Sequence, residues 1–122
     1  MPTWRIRATP EVRDWIRELI KTDPGAAAAV NAAVDELASC GPGLGRPLVD
    51  TVERSRHSNM KELRPRSGRK VAIRILFAFD PQRQGVLLVA GNKAGNWSSW
   101  YRTAVPKADD TFDAWLKERD GR

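Results

Sequence analysis

The chain has almost none of the residues that build disulfides or zinc sites. Cys40 is the single cysteine and His57 the single histidine among 122 residues. One cysteine forms no disulfide within the chain, which fits a reducing compartment. One cysteine and one histidine cannot supply the ligands of a Cys/His zinc site. The sequence therefore excludes a disulfide scaffold and a zinc domain of this kind, and we expect no metal ion and no cofactor.

Long apolar runs are also missing. The longest, such as residues 75–79, are far shorter than the roughly 20 residues that a membrane-spanning helix needs. The N-terminus lacks the apolar stretch of a signal peptide, so we expect a cytoplasmic protein with no membrane contact. With 41% apolar and 30% charged residues, the composition is typical of one globular domain over residues 1–122.

Acidic residues are scarce in the middle of the chain. Residues 54–107 hold twelve Lys/Arg and two Asp/Glu, a balance of +10, whereas the whole chain carries +6. The sequence pI is about 10.1. Such an asymmetry favours a site for nucleic acid or another polyanion. The alternative is a basic surface that faces water and has no ligand.

The first forty residues predict a short strand and two helices. Alternation over residues 4–7 indicates the strand. Thr9, followed by a proline, is typical of a helix N-cap, and apolar residues then recur at helical spacing as far as Ile20. Asp23 before a proline repeats this start signal, and the glycines after Cys40 end the second helix. The short link between the helices predicts an antiparallel hairpin.

Residues 43–58 have no regular pattern, and the apolar period then changes from 3.6 to two. We predict strands over 59–65, 71–79 and 86–91, with turns at 67–70 and 80–85, and a final helix over 107–119. The order β-α-α-β-β-β-α predicts an α+β fold with a small, mostly antiparallel sheet. The helix hairpin would cover one face of the sheet, and the other face would be open and basic.

Strand alternation assigns the side chains of the predicted strands to the two faces. Ile73 and its alternates would be buried under the helices, so Arg74 would project from the open face. Glu62 and Arg64 would lie on the same face as Arg74, where they can pair with one another or contact a ligand. Lys61 would instead lie on the buried side.

An aromatic and basic segment, GNKAGNWSSWYR (residues 91–102), follows the last strand. Cations bind phosphates and aromatic rings stack on bases, so this composition is typical of a single-stranded nucleic-acid site. The alternative for the tryptophans is that they anchor the last helix on the sheet. The candidate RNA-binding residues are Lys61, Arg66, Arg69, Lys70, Trp97 and Arg102.

The run NMKELRP…GRKVAIRILFAFD…GVLLVAGNKAGNWSSWYRTAVPKAD resembles the RelE/HigB family of toxins from bacterial type II toxin–antitoxin modules. It is most similar to the phage-derived, HigB-like branch, and the resemblance covers roughly residues 3–117. It implies a RelE-like fold and an endoribonuclease that cuts mRNA, commonly on the ribosome. It also implies a cognate antitoxin, usually a small helix-turn-helix DNA-binding protein.

The resemblance gives four candidate catalytic residues. Arg64 matches the arginine that ends the ELR strand, and Arg74 matches the arginine at the start of the next hydrophobic run. Lys93 matches the basic position after the last strand, and Tyr101 matches the tyrosine of a YxxA motif.

The sequence departs from the family pattern on the predicted strand over residues 59–65, which contains ELR. The family often has two lysines there, whereas Met60 and Glu62 stand in those places with Lys61 between them. His57 lies near a region where some relatives carry a functional histidine.

The implied reaction is attack of an RNA 2′-hydroxyl on the adjacent phosphate, which needs proton transfer and charge stabilisation but no metal. Arg64 and Arg74 would bind the phosphate. Tyr101 would stack on a base, or act as general base if nearby cations lowered its pKa. Lys93 would be the general acid, and Glu62 is an alternative base.

Two other functions fit the same fold. Relatives of the ParE type act on a protein target, DNA gyrase, and do not cut RNA. A non-catalytic RNA-binding module would show salt-sensitive RNA affinity without cleavage.

Overall fold

The computed structural model describes residues 4–66, 72–92 and 97–120, with the backbone alone at residues 97, 119 and 120. Within these residues the elements are β1 (Arg5–Ala8), α1 (Pro10–Thr22), α2 (Pro24–Cys40), β2 (Val49–Thr51), β3 (Lys61–Leu63), β4 (Ile73–Phe79), β5 (Gln84–Asn92) and α3 (Trp97–Asp120). The sheet order is β1-β5-β4-β3-β2. β1 is parallel to β5, and the other pairs are antiparallel. The α+β class is confirmed, and β2 is an added strand in the segment expected to be irregular.

Side-chain caps start both helices of the hairpin. The Thr9 hydroxyl accepts a hydrogen bond from the Val12 N–H, and the Asp23 carboxylate accepts one from the Ala26 N–H. Asp23 alone separates α1 from α2, and both helices pack in one buried cluster, so the predicted helix hairpin is confirmed. The second helix ends at Gly41, whose φ of +61° favours glycine.

The helix hairpin packs on one face of the sheet. Val12, Val30 and Leu37 of the helices meet Ile75 and Phe77 of β4 in one buried cluster. This confirms the face assignment drawn from strand alternation.

The opposite face is not open as expected, because α3 covers much of it. A second buried cluster joins Ala104, Ala108 and Phe112 of α3 to Leu76 and Leu88 of the sheet. Among the described residues, Glu62, Arg64 and Arg74 lie on this face beside the start of α3, on β3, just after β3 and on β4. None of the helices in the described ranges is long and apolar enough to cross a lipid bilayer.

α3 begins ten residues before the position predicted from the sequence. Pro106 lies inside the helix, although a proline removes one backbone hydrogen bond and normally marks a helix start or kink. Pro106 is exposed, whereas Ala104, Val105 and Ala108 around it are buried against the sheet. Tertiary packing of this apolar stripe therefore outweighs the local cost of the proline.

Candidate functional site

Strand register and α3 bring four of the expected polar groups together: Glu62, Arg64, Arg74 and Tyr101. Glu62 on β3 lies opposite Leu76 on β4. Arg74 is two residues before Leu76 on β4, so it is the diagonal neighbour of Glu62. Tyr101 approaches this pair from the first turns of α3, above the same face of the sheet. The shared face of Glu62, Arg64 and Arg74 is confirmed, but Tyr101 reaches it from a helix and not from a loop.

The Glu62 carboxylate is the centre of the cluster. Its side chain is 3% exposed. The Tyr101 hydroxyl donates to Oε1 and also lies 3.0 Å from Oε2. The Arg64 Nε and Nη2 atoms lie 2.9 and 2.8 Å from Oε2. Arg74 Nε is 3.9 Å from the same oxygen, so one buried carboxylate holds a phenol and two guanidinium groups.

A second carboxylate extends the cluster toward the edge of the sheet. Asp50 on β2 is the register partner of Glu62, and its Oδ2 lies 3.3 Å from Arg64 Nη2. Its Oδ1 accepts hydrogen bonds from the Thr51 N–H at 2.8 Å and from Arg46 Nε at 3.2 Å. The Thr51 hydrogen bond lowers the pKa of Asp50 against an opposing effect of burial, and Arg46 and Arg64 lower it further.

The position of Tyr101 raises the pKa of its hydroxyl to about 12, from an ordinary value of 10.0. Burial is the main cause, and the hydrogen bond and negative charge of Glu62 add to it, while Arg74 opposes it. Arg74 does lower this pKa, but burial and Glu62 outweigh it, so the condition under which Tyr101 would act as a general base is not met. Tyr101 stays protonated at neutral pH, where it is a hydrogen-bond donor and not a general base.

Trp100 fixes the start of α3 on the sheet. A Cβ atom added at Gly91 would lie 2.2 Å from the Trp100 indole nitrogen, so the ring rests directly on the β5 backbone. Trp100 also packs edge-to-face on Tyr101, with ring centroids 5.1 Å apart. This tryptophan is therefore an anchor for the helix that carries Tyr101, which was the alternative to base stacking.

The cluster forms part of the wall of an open cleft of about 850 Å³. Four arginines line the cleft: Arg46, Arg54, Arg64 and Arg102. Glu62 and Tyr101 face it from one side, and the loop after β2 forms another wall. Asp50 and Glu53 also line it, so the cleft places a phenol among four arginines and three acids.

Three aspartates of α3 contact the loop after β2: Asp109, Asp110 and Asp113. The Ser55 hydroxyl and the Arg56 N–H both donate to Asp109, which is 2% exposed. His57 Nε2 lies 2.7 Å from Asp113 Oδ1. The hydrogen bonds of Asp113 with Arg56 and His57 lower the pKa of its carboxyl group. His57 is thus part of this loop anchor.

The other expected site residues are distributed differently. Arg102 lines the cleft, whereas Lys61 lies on the hairpin side of the sheet, with its Nζ 3.5 Å from the Pro42 carbonyl oxygen. Arg66 is exposed at the end of a described range. Lys93, Arg69, Lys70 and the Trp97 side chain lie outside the described residues. Lys61 is therefore not brought to the cluster, and the three cations outside the described residues remain predictions.

Sequence reasoning missed Arg46 and Asp50. Both lie in the segment read as irregular, and the three-residue strand β2 is too short to show a clear alternation. Arg54 is one of the twelve Lys/Arg counted in residues 54–107, but no sequence pattern placed it in the cleft. Among the described residues, no three His, Cys, Asp or Glu side chains are close enough to form a metal site.

Comparison with known proteins agrees with this picture. The family model "Phage derived protein Gp49-like" matches residues 14–113. A Mycobacterium tuberculosis protein named "Putative toxin HigB2" is 58% identical over 83 residues, which are 68% of this chain and 41% of that protein. Another from the same organism, named "Putative toxin HigB3", is 48% identical over 112 residues, 92% of this chain and 93% of that protein. The chain spans less than half of the first relative and nearly all of the second. It therefore belongs to the phage-derived Gp49-like family, and its similarity to proteins named as HigB toxins confirms the resemblance drawn from the sequence.

Proposed function

We propose that the chain is the toxin of a type II toxin–antitoxin module and an endoribonuclease that cuts mRNA on the ribosome. Membership of the Gp49-like family and similarity to two proteins named as toxins support the first part. The observation that carries the second part is the contact of Tyr101, Glu62 and two arginines beside an arginine-lined cleft. A cognate helix-turn-helix antitoxin is the partner that the family resemblance implies.

The arginines provide the affinity for RNA. Arg46, Arg54 and Arg102 would bind backbone phosphates along the cleft, and Arg64 would take the scissile phosphate by its planar guanidinium. In the free protein Arg64 is held by Glu62 and Asp50, which fixes its orientation before the substrate arrives. Preorganised cations stabilise the charge that builds up on the phosphoryl oxygens during attack.

The Tyr101–Glu62 pair fits the two proton transfers of RNA cleavage. Glu62 would accept the proton of the 2′-hydroxyl while the O2′–P bond forms. Tyr101, protonated at neutral pH, would donate its proton to the 5′ oxygen while the P–O5′ bond breaks. The products are a 2′,3′-cyclic phosphate and a 5′-hydroxyl end.

The hydrogen bond between these two groups closes the proton cycle. After cleavage Glu62 holds an extra proton and Tyr101 lacks one, and the two oxygens are already in contact. Transfer from the carboxyl group to the phenolate restores both residues without any other group. This assignment replaces Lys93 as the general acid and makes Glu62 the base.

The test is a purified translation reaction with end-labelled mRNA and the wild-type chain. We expect cuts with 5′-hydroxyl ends, and a loss of about 100-fold or more in rate for Tyr101→Phe and Glu62→Gln, as removal of general acid–base groups usually causes. Arg64→Ala should lose a similar factor. Arg17→Ala is the matched control, because the Arg17 side chain is exposed on α1 and makes only a surface ion pair with Asp14.

Three results would count against the proposal. Full cleavage by Tyr101→Phe would remove the phenol from the reaction. Salt-sensitive RNA binding without cuts would indicate a binding module. Intact mRNA together with inhibited DNA gyrase would indicate the ParE-like function.

A further inference from the structure

We propose that Asp109 is a positioning residue of the RNA site. It holds the loop after β2 against α3, so that Arg54 reaches the cleft and binds a phosphate next to the scissile one. Asp109 itself does not line the cleft and acts through Arg54. This inference rests on the proposed function, because it concerns how the same cleft binds RNA.

The first observation is the backbone conformation of Arg54. Its φ is +68°, in the left-handed region that a side chain of this size seldom adopts. An extended chain turns successive side chains to opposite sides, yet Val52, Glu53 and Arg54 all line the cleft. The chain therefore turns at Arg54. A conformation of this kind persists only where the surrounding structure holds it in place.

The charge of Arg54 is available to a ligand. Arg46 pairs with Asp50, and Arg64 pairs with Glu62 and Asp50. Arg54 is exposed, and within the described part of the chain it forms no ion pair. A guanidinium that lines the cleft without an acid partner can contact an RNA phosphate and lose no internal contact.

The residues just after Arg54 are fixed to α3 by Asp109. The Ser55 hydroxyl donates to one carboxylate oxygen and the Arg56 N–H donates to the other, at 3.0 Å. The Ser55 oxygen in turn accepts a hydrogen bond from the His57 N–H at 3.0 Å. Asp109 is 2% exposed, so these contacts are shielded from water. One buried carboxylate thus holds the segment that follows the left-handed residue.

The same helix carries the phenol of the site. Tyr101, Val105 and Asp109 follow one another at intervals of four residues, which places them along one side of α3. Tyr101 and Val105 line the cleft, and Asp109 holds the loop farther along the helix. α3 therefore sets the position of Arg54 relative to Tyr101. A fixed spacing between these groups favours binding of neighbouring phosphates on one RNA strand.

Charge alone predicts the opposite effect of removing Asp109. Loss of a negative charge near an arginine-lined cleft should tighten the binding of RNA. Loss of the loop anchor should weaken it, because Arg54 is then no longer held at the cleft. The direction of the change in RNA affinity therefore separates a positioning role from a general electrostatic effect.

The test is fluorescence anisotropy of a labelled, single-stranded 2′-O-methyl oligoribonucleotide, which keeps its phosphates but has no free 2′-hydroxyl to attack. Arg54→Ala should raise the Kd about three- to tenfold and lower the slope of log affinity against log salt by about 0.7, the share of one phosphate contact. Asp109→Ala should raise the Kd by a similar factor. Asp110→Ala is the matched control, because it removes the same charge from a side chain that is 76% exposed, and its Kd should stay unchanged or fall.

A double-variant cycle tests whether Asp109 acts through Arg54. In an Arg54→Ala background, Asp109→Ala should change the Kd less than about twofold, because the arginine that it positions is absent. Asp109→Asn keeps one oxygen acceptor and should restore part of the affinity. Ser55→Ala removes a donor to Asp109 without changing the charge, and it should also raise the Kd. Circular dichroism checks the fold, and Ser55→Ala decides the outcome if Asp109→Ala does not fold.

Three results would overturn the inference. They are tighter RNA binding by Asp109→Ala, an equal effect of this variant with and without Arg54, and an unchanged Kd in Ser55→Ala. In each case the wild-type chain still binds RNA, so the proposed function stands. A wild-type chain that does not bind the oligonucleotide would instead count against the RNA part of the proposed function, and the inference would fall with it.

Discussion

At the scale of single residues, the buried Glu62 carboxylate determines the arrangement of the site. It receives the Tyr101 hydroxyl and the charges of Arg64 and Arg74 within one hydrogen-bonded group. A buried acid with such partners is stable only while they remain, and the partners in turn depend on the acid. The same contacts that hold the site together therefore also limit which substitutions it tolerates.

Replacing Glu62 with alanine should lower the stability of the fold. The Arg74 side chain is only 20% exposed and would lose the Glu62 carboxylate. The Arg64 side chain is 36% exposed, so it can still contact water and Asp50. We expect a loss of about 3 kcal/mol in the free energy of unfolding, the lower end of what breaking a buried pair costs. Urea unfolding measures it. Asp14→Ala, which breaks an exposed pair with Arg17, should cost less than about 0.5 kcal/mol, and equal losses for the two variants would contradict the account.

Tyr101 offers a direct spectroscopic test, because it is the single tyrosine of the chain. The phenolate absorbance should appear with a midpoint near pH 12 and not near the ordinary 10.0. Because the pKa of Tyr101 is higher in the folded than in the unfolded state, the folded state holds this proton more tightly. The resulting contribution to stability is fully present below about pH 10 and is lost as the pH rises toward 12. In Glu62→Gln the midpoint should move down, since the negative charge is gone. A wild-type midpoint at 10 would contradict both the burial of Tyr101 and its contact with the carboxylate.

At the scale of elements, α3 both completes the core and carries part of the site. Its buried stripe packs on the sheet through Ala104, Ala108 and Phe112, and the same helix presents Tyr101 to Glu62. Trp115 near its other end donates to Asp80, whose carboxylate also caps the β4–β5 turn. Both ends of the helix are thus fixed to the sheet, which sets the position of the phenol.

Gly91→Ala should displace the start of α3. The new methyl group would lie 2.2 Å from the Trp100 indole, so the ring and the helix must shift. We expect a loss of about 1–3 kcal/mol in unfolding free energy, as overpacking usually costs, and weaker RNA cleavage. Gly43→Ala is the matched control, because an added Cβ there meets nothing within 4 Å. Unchanged stability in Gly91→Ala would mean that Trp100 does not rest on β5.

Asp109→Ala should release the loop that forms one wall of the cleft. Asp109 accepts hydrogen bonds from Ser55 and from the Arg56 N–H, and it is almost fully buried. Amide exchange at Arg56 and His57 should then become at least tenfold faster, while the β4 amides keep their protection. Asp110 pairs with the Arg56 side chain at 3.0 Å, but it is 76% exposed and accepts no loop N–H among the described contacts. Asp110→Ala should therefore change the exchange of the loop amides far less.

At the scale of the whole molecule, the sequence predicts the fold well where caps and periodicity agree. Thr9 and Asp23 mark the helix starts correctly, and the alternation in β4 assigns Ile75 and Phe77 to the hairpin side. The prediction is wrong where the local preference of a residue conflicts with tertiary packing. Pro106 locally favours a helix start, but it lies inside α3.

The site is predictable from the sequence only in part. Alternation places Glu62, Arg64 and Arg74 on one face, because the period of a strand is local information. The hydrogen bond between Glu62 and Tyr101 joins residues 39 positions apart, and the burial that raises the pKa of Tyr101 follows from α3 packing over the sheet. Such contacts depend on tertiary structure, and no local pattern indicates them.

The proposed RNA site lies toward one edge of the sheet, beside β2 and β3. The most direct test of the central claim is to induce this chain alone in bacteria and map the 5′ ends of mRNA, beside the double variant Arg74→Ala/Tyr101→Phe. We predict growth arrest with new 5′ ends inside translated codons, and loss of both in the variant. Growth arrest with intact mRNA would contradict the account and point to a protein target.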